Sequence, residues 1–307
     1  MLQHFKELTP ESYSIIQHYV NLRPTYIAER QFVNQYIWSG YYQTMYTTTE
    51  HALFYKIKLY NDDGCFMPFC KEEDIISSFI EIKDYFNHVL HKPLKMYLVD
   101  ETFTNIIKQH PEFSESFDFV DFRDGYDYVY EAEKLRTLSG RKMHKKKNHL
   151  NNFLRNYEGR YEYRHLCCKN MEEVKRFHLE WLEKRDSTAA NNKNNSIEKE
   201  EEGIVRLLNQ CKAIDYRCGG VYVDDQLKAY SIGSYDPAIE CAYIHIEKAD
   251  SEINGLYNFI NQQFLLHEFP EAKIVNREDD LGQEGLRKSK LSYSPLRLEA
   301  KYHIIQK

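Results

Sequence analysis

GVYVDDQLKAYSIGSYDPAIECAYIHIEKADSEINGLYNFINQQFLLHEFPEAKIVN, residues 220–276, is the stretch whose reading decides the fold. Its apolar runs have strand length and its breaks are strong. A strand at Gly220 to Val223 turns at Asp224-Asp225 into a strand at Leu227 to Tyr235, and a third strand follows at Cys241 to Lys248. Gly255 to Phe269 then carries apolar residues at helical spacing, and Lys273 to Asn276 is a fourth strand. Three meandering strands followed by a helical crossover predict a sheet that is antiparallel first and parallel after the helix, in an α/β (α+β) fold.

Working outward, the first half repeats the order strands, helix, strand. Ala52 to Tyr60 and Cys65 to Cys70 flank the turn Asn61-Asp62-Asp63-Gly64, Glu72 to Leu90 is an amphipathic helix, and Lys95 to Val99 is the next strand. Phe117 to Phe122 and Tyr126 to Tyr130 read as a strand pair around Arg123-Asp124-Gly125. The shared order suggests a diverged duplication. Composition shifts past Glu131, because residues 134–157 carry Lys and Arg with no acid, so the junction is set between domains 1–133 and 134–307. Beyond it the reading expects a strand at Tyr161 to Leu166, a helix at Met171 to Lys184, a mobile polar loop at Asp186 to Asn195, a helix at Glu198 to Cys211, and a short helix and final strand at Leu296 to Ile305.

At 307 residues the chain can bury the cores of two domains, and 42% hydrophobic with 29% charged residues is ordinary for a globular protein. Tyr 25 beside Phe 17 suits half-buried strands and a groove offering both apolar area and hydroxyl groups. The start MLQHFKE lacks a secretory signal and no apolar run reaches the roughly 20 residues that cross a bilayer, so the expectation is a cytoplasmic protein without a transmembrane segment. Seven cysteines, without a Cys-x-x-Cys pair, are expected to be reduced thiols rather than a disulfide framework or zinc site. The net charge of −6 argues against a coat of nucleic acid, while a local basic patch could still contact phosphates.

Two clusters carry candidate chemistry. Arg277, Glu278, Asp279 and Asp280 follow directly on a predicted interior strand, and Gly282 and Gly285 bracket the start of a helix carrying Arg287 and Lys290. Strand ends of this kind open into ligand crevices, and Glu247 ends the neighbouring strand. The expected roles are Glu247, Glu278 or Asp279 as the group that orients or deprotonates an acceptor, with Arg277, Arg287 and Lys290 gripping an anionic donor. The structural alternative is an ion-pair network that fixes helix to sheet. The second cluster, Arg141, Lys142, Lys145, Lys146, Lys147 and Asn148, falls on the first turns of a helix, where cations oppose the helix dipole and invite an anion such as a phosphate; its alternative is a solvated helix face. His144 and His245 could carry protons but are expected to pack or hydrogen-bond, and Trp38 and Trp181 are read as core aromatics or groove walls, with core favoured. A metal site is not expected, because the acids alternate with Arg and Lys.

Three segments resemble the C-terminal domain family of phosphatidylglycerol lysyltransferases, a branch of the GNAT superfamily that is also similar to Fem-type aminoacyltransferases. They are FVNQYIW (32–38), LSGRKMHKKKNHLNNF (138–153) and VNREDDLGQEGLRKSK (275–290) followed by Tyr293 and Pro295. The resemblance implies two consecutive GNAT-like domains, with aminoacyl transfer from aminoacyl-tRNA to a lipid hydroxyl or peptide amine. It adds Asn276, Gly282, Gly285 and Tyr293 to the substrate-binding candidates, implies tRNA as partner for the basic run, and leaves contact with lipid headgroups as an expectation. Acyl-CoA is the alternative donor, although the Gly-rich turn that cradles its pyrophosphate is missing between Lys248 and Gly255. A non-catalytic module that binds a nucleotide, peptide or charged metabolite in the same cleft is the further alternative.

Overall fold

Tyr55, Tyr128, Tyr130, Tyr230 and Tyr243 are among the largest fully buried side chains, so much of the tyrosine content is core rather than groove wall. In the computed structural model these rings sit on strands of two separate sheets, each flanked by helices, and residues 2–59, 61–188 and 195–307 are described. The chain divides into two compact units, one formed by residues up to Asp127 together with Leu298–Lys307, the other by Tyr128–Arg297. This differs from the junction read at 133/134, and the last ten residues return to the first unit.

In the first unit, Ala52–Leu59 pairs antiparallel with Asp62–Phe66, the helix Ile75–Asp84 follows, and Lys95–Asp100 lies parallel to Asp62–Phe66 through Cys65 and Met96. In the second, Gln226–Asp236 pairs antiparallel with Cys241–Ala249, the helix Leu256–His267 follows, and Ile274–Asn276 lies parallel to Cys241–Ala249. Each unit therefore contains a hairpin, a crossover helix and a parallel return, the order read twice in the sequence. The antiparallel-to-parallel switch has the same cause in both, since a helical crossover brings the next strand back in the starting direction.

Two strand assignments change. Phe117–Asp121 and Asp127–Glu131 are not a pair: the first joins Lys301–Gln306 in the first sheet, the second joins Ile274–Asn276 in the other. The turn between them is a 3-10 segment, Arg123–Gly125, and Tyr128, Val129 and Tyr130 are buried consecutively, as in an interior strand covered on both faces. The expected final strand is likewise split, into Arg297–Glu299 in the second sheet and Lys301–Gln306 in the first.

The helix read at Met171 to Lys184 runs through Thr188 and the next spans Asn195–Leu208; the loop expected between them falls mostly on residues 189–194, outside the described residues. Cys168 and Cys211 are joined as a disulfide with Cα atoms 5.5 Å apart, a correction to the all-thiol reading that cysteine number and spacing could not supply. Cys65, Cys70, Cys218 and Cys241 are buried free thiols. Trp38 and Trp181 are half-buried rather than core, and Trp181 donates Nε1–H to the Ala249 carbonyl at 3.0 Å.

Candidate functional site

The parallel pairing in the second sheet is short: Cys241, Ala242 and Tyr243 face Ile274, Val275 and Asn276, and there it stops. Cys241–Ala249 continues, held on its other side by Gln226–Asp236, while the chain after Asn276 turns away. The sequence dictates that departure. Asn276 accepts a hydrogen bond from the Glu278 amide at 2.6 Å, and Glu278, Leu281 and Gly282 take positive φ of 57°, 51° and 69°. Two neighbouring strands thus part, and the charged segment read from the sequence lies at the opening.

Two of the three cations expected there to grip an anion instead hold the protein together. Lys290 is buried, and its ammonium donates to the carbonyl of Arg277 at 2.6 Å, of Glu278 at 3.2 Å, and of Asp279. It pins the 277–279 loop from beneath. Arg287 makes a two-pronged pair with Asp280, at 2.8 and 2.9 Å, and Tyr128 donates its hydroxyl to the same carboxylate at 2.6 Å. Burial pushes the Asp280 carboxyl up, but the bonds from Arg287 and Tyr128 outweigh it and hold the group below the usual carboxylate range. Asp279 caps the Leu281 amide at 3.1 Å. The Arg287–Asp280 contact is an ion pair of the kind weighed from sequence, whereas Lys290 is held by backbone carbonyls.

Arg277 is different. Its Nη2 reaches Glu247 Oε1 at 3.1 Å across the opening, its guanidinium lies 4.9 Å from the Tyr293 ring centre, and Nη1 is buried with no hydrogen-bond partner among the described residues. Burial works against its charge, but Glu247 and the phenols of Tyr130 and Tyr293 more than compensate. Glu247 also accepts from Asn261 Nδ2 at 3.0 Å, while Asn261 Oδ1 is buried and equally unpartnered among the described residues. Tyr293 accepts from Asn258 at 2.6 Å, and burial pushes its phenol up to about 12.

One cation of the basic run joins this group. Lys146 Nζ lies 4.2 Å from the Tyr293 ring centre, and burial, then Arg277 and Lys145, lower its pKa. Arg141, Lys142, Lys145, Lys147 and Asn148 on the same segment are exposed, as is His144. A second cross-strand contact lies nearby: His245 Nδ1 is 2.7 Å from Glu278 Oε1, and its Nε2 is 2.8 Å from Ser234 Oγ. The register against Gln226–Asp236 shifts between Ile232 and Gly233, so that Ile246 and Ile244 are paired and His245 is the extra residue of a bulge. Gly233 permits it, since a Cβ there would lie 2.6 Å from the Tyr243 carbonyl.

Glu247, Arg277 and Tyr293 are thus brought together, with Lys146, while Glu278 meets His245. Gly282 supplies a positive φ in the loop and donates its amide to Asp280 at 3.0 Å, and Gly285 is exposed in the helix Glu284–Leu291. Sequence reasoning missed Asn258, Asn261 and Ser234; two asparagines three residues apart within the apolar helix Leu256–His267 were the available signal. Among the described residues no cluster could hold a metal ion, and no helix is long and apolar enough to cross a membrane. A cavity of about 360 Å³ beside Trp181, lined also by Phe177, Lys184 and Asp250, shares no residue with this cluster.

Two solved structures match the fold over nearly the whole chain. A solved protein of unknown function from Bacteroides thetaiotaomicron is 25% identical, with a TM-score of 0.89 and 100% of both chains covered. The C-terminal domain of a putative lysylphosphatidylglycerol synthetase from Agrobacterium fabrum shares the fold at 12% identity, TM-score 0.67, covering 97% of this chain and 92% of that one. The curated protein MYCGA3080 of Mycoplasmoides gallisepticum, itself uncharacterized, is 27% identical over 169 residues, 55% of this chain, which spans about half (52%) of that relative's length. The fold is that of two consecutive GNAT-like domains. The family description "Phosphatidylglycerol lysyltransferase, C-terminal" matches residues 21–305, and the chain belongs to that family.

Proposed function

We propose that the second unit is an aminoacyltransferase site that moves an aminoacyl group from aminoacyl-tRNA to an amine or hydroxyl of a lipid or peptide, by direct attack of the acceptor. The observation that carries this reading is the convergence of Arg277, Lys146, Tyr293 and Glu247 where the strands part. Arg277 and Lys146 offer positive charge to the carbonyl oxygen and phosphate of the donor, and a preorganised cation pair in a half-buried site stabilises a developing oxyanion. Glu247, Glu278 and Asp279 are the carboxylates that could receive the acceptor proton. The exposed cations Arg141, Lys142, Lys145 and Lys147, with Asn148, lie on one segment with Lys146 and suit a phosphate backbone. Such a donor would meet the protein in the cytoplasm, and a lipid acceptor would present its headgroup at the membrane surface.

Acyl-CoA is the second donor. The start of the helix Leu256–His267 speaks against it: a Cβ on Gly255 would fall 2.2 Å from the His149 carbonyl, so backbone packs where a pyrophosphate would need room. Filter binding and thermal shift with charged tRNA, uncharged tRNA and acetyl-CoA test the choice. Binding of tRNA that weakens with salt and with Lys145→Ala supports the aminoacyl reading, binding of acetyl-CoA alone replaces it, and binding of neither leaves a non-catalytic module.

A further inference from the structure

We propose that the Cys168–Cys211 disulfide is a reversible redox staple, opened by a low-molecular-weight thiol and closed by the matching disulfide, which sets how firmly a helix pair braces the strand carrying Glu247. The staple stands apart from the acyl-transfer reading; only its effect on transfer rests on that reading.

The seven cysteines divide by exposure. Cys65, Cys70, Cys218 and Cys241 are buried free thiols, Cys167 is exposed, and Cys168 and Cys211 are half-buried, so the oxidised pair lies where a small thiol in solution can reach it. Disulfides that solvent reaches are the labile, regulatory kind. The pair is 43 residues apart in sequence and closes one element at its ends. Cys168 opens the 3-10 segment Cys168–Asn170 that leads into the helix Met171–Thr188, and Cys211 lies in the turn after the helix Asn195–Leu208. Polar ties between the helices, Arg185 to Glu201 at 3.3 Å and Lys175 to Asn209, are partly solvated and contribute little by themselves.

Both helices grip the same strand end. Trp181 donates Nε1–H to the Ala249 carbonyl at 3.0 Å, Lys248 lies 4.6 Å from the centre of the Trp181 ring, and Lys248 also pairs with Glu200 at 3.2 Å. Lys248 and Ala249 follow directly on Glu247, the partner of Arg277. A covalent link across the ends of the helix pair limits the conformations open to it once it detaches, so the brace opens less often while the bond is intact.

The exchange balances without a cofactor. A thiolate of the small thiol attacks the Cys211 sulfur; a mixed disulfide forms there, the Cys168–Cys211 bond breaks, and Cys168 leaves as a thiolate that takes up the proton the attacking thiol gave up. Cys168 is the better leaving group because it opens the helical stretch, whose first amides favour an anion. A second thiolate attacks the small thiol's sulfur in the mixed disulfide, expels Cys211 and leaves as the small disulfide. Two thiols are thereby oxidised and two cysteines reduced, and closure is the reverse.

Glutathione is the probe, with the full chain unfolded and alkylated with iodoacetamide and the adducts counted by intact mass and mapped. Five adducts are expected from untreated protein, on Cys65, Cys70, Cys167, Cys218 and Cys241, and seven after native incubation with reduced glutathione, with oxidised glutathione returning the count to five. Seven adducts at the start, or five that persist until the chain is unfolded, overturn the staple. Hydrogen exchange in peptides from Met171 to Lys184 and from Cys241 to Ala249 should quicken about tenfold on reduction, and exchange that stays the same overturns the brace. Cys211→Ser should exchange at the fast rate with or without glutathione; if it does not fold, reduced wild type supplies the same comparison. Cys167→Ser should keep the redox response, and its loss there would place the bond on Cys167 and overturn the assignment. A last arm measures binding of charged tRNA in both redox states. A redox response without tRNA binding keeps the staple and overturns the tRNA donor, whereas tRNA binding without a redox response keeps the donor and overturns the staple.

Discussion

Lys146 stands over the face of Tyr293, its ammonium 4.2 Å from the ring centre, and so joins the basic run to the segment that follows Lys290. The contact separates Lys146 from its neighbours. Lys145 is exposed and is expected to act as a phosphate contact, so Lys145→Met should weaken tRNA binding and reduce the salt slope by about 1. Lys146→Met should also remove a cation–π contact of about 1 kcal/mol. Because the folded pKa of Lys146 is depressed, by burial first, the native state sheds this proton before the unfolded chain does. The linked contribution is therefore absent well below that folded pKa and grows as pH rises through it toward the ordinary lysine value of about 10.4. Melting curves should show wild type gaining on Lys146→Met as pH rises across that window; parallel curves would refute the assignment.

The Glu247–Arg277 contact is a buried ion pair, with side chains 11% and 12% exposed. Removing one partner leaves the other charge uncompensated, at a cost of about 3 kcal/mol, whereas removing both costs less than the sum. A double-mutant cycle on Glu247→Gln and Arg277→Met, read by urea denaturation, should give a coupling of about 1 to 3 kcal/mol. Additive losses would show that the two side chains do not meet in solution.

The strand and helix order of both units was legible because alternating and helical periodicities are local properties of the chain. The pairing partners were not. Residues 117–121 and 127–131 look like a hairpin around Gly125, yet Lys301–Gln306, 180 residues further on, pairs with the first, as non-local burial decided. The candidate site was legible as a charged segment at a strand end, and the contacts each of its side chains makes were not. Arg277, Arg287 and Lys290 are all cations within fourteen residues, and only geometry shows that Arg287 answers Asp280 and Lys290 three backbone carbonyls while Arg277 crosses to Glu247. Ser234 carried no signal at all, because a bulge in the neighbouring strand places His245 against it.

In the first unit, Lys301 is fully buried between Glu29 at 2.7 Å and Asp127 at 2.8 Å. Burial is the largest influence on Glu29 and Asp127 adds to it, so that the carboxyl is pushed up to about 8 even though Lys301 acts in the opposite sense. A folded value above the unfolded one means that the native state keeps a proton the unfolded chain has lost. That contribution to stability is fully present below about pH 4.5 and is lost as pH rises through about 8, with a limiting slope of about 1.4 kcal/mol per pH unit. Glu29→Gln should flatten the decline of the first unit's melting temperature between pH 5 and 8, read by calorimetry. Lys301→Met should destabilise that unit strongly, by about 3 kcal/mol or more, because two buried acids then face each other.

Two glycines make opposite predictions. Gly255 has φ +85° and no room for a methyl group, since a Cβ would lie 2.2 Å from the His149 carbonyl, so Gly255→Ala combines left-handed strain with overpacking and should cost about 3 kcal/mol. Gly285 lies in the helix Glu284–Leu291, where a Cβ would meet nothing within 4 Å and φ is not positive, so neither sterics nor backbone requires glycine there. Gly285→Ala should therefore stabilise the protein slightly, by about 0.5 to 1 kcal/mol, through the better helix propensity of alanine. If the variant is as stable as expected and yet loses ligand binding, the missing side chain serves the approach of a substrate rather than the fold. If binding also survives, Gly285 leaves the candidate site, and Arg277, Lys146 and Tyr293 carry recognition without it.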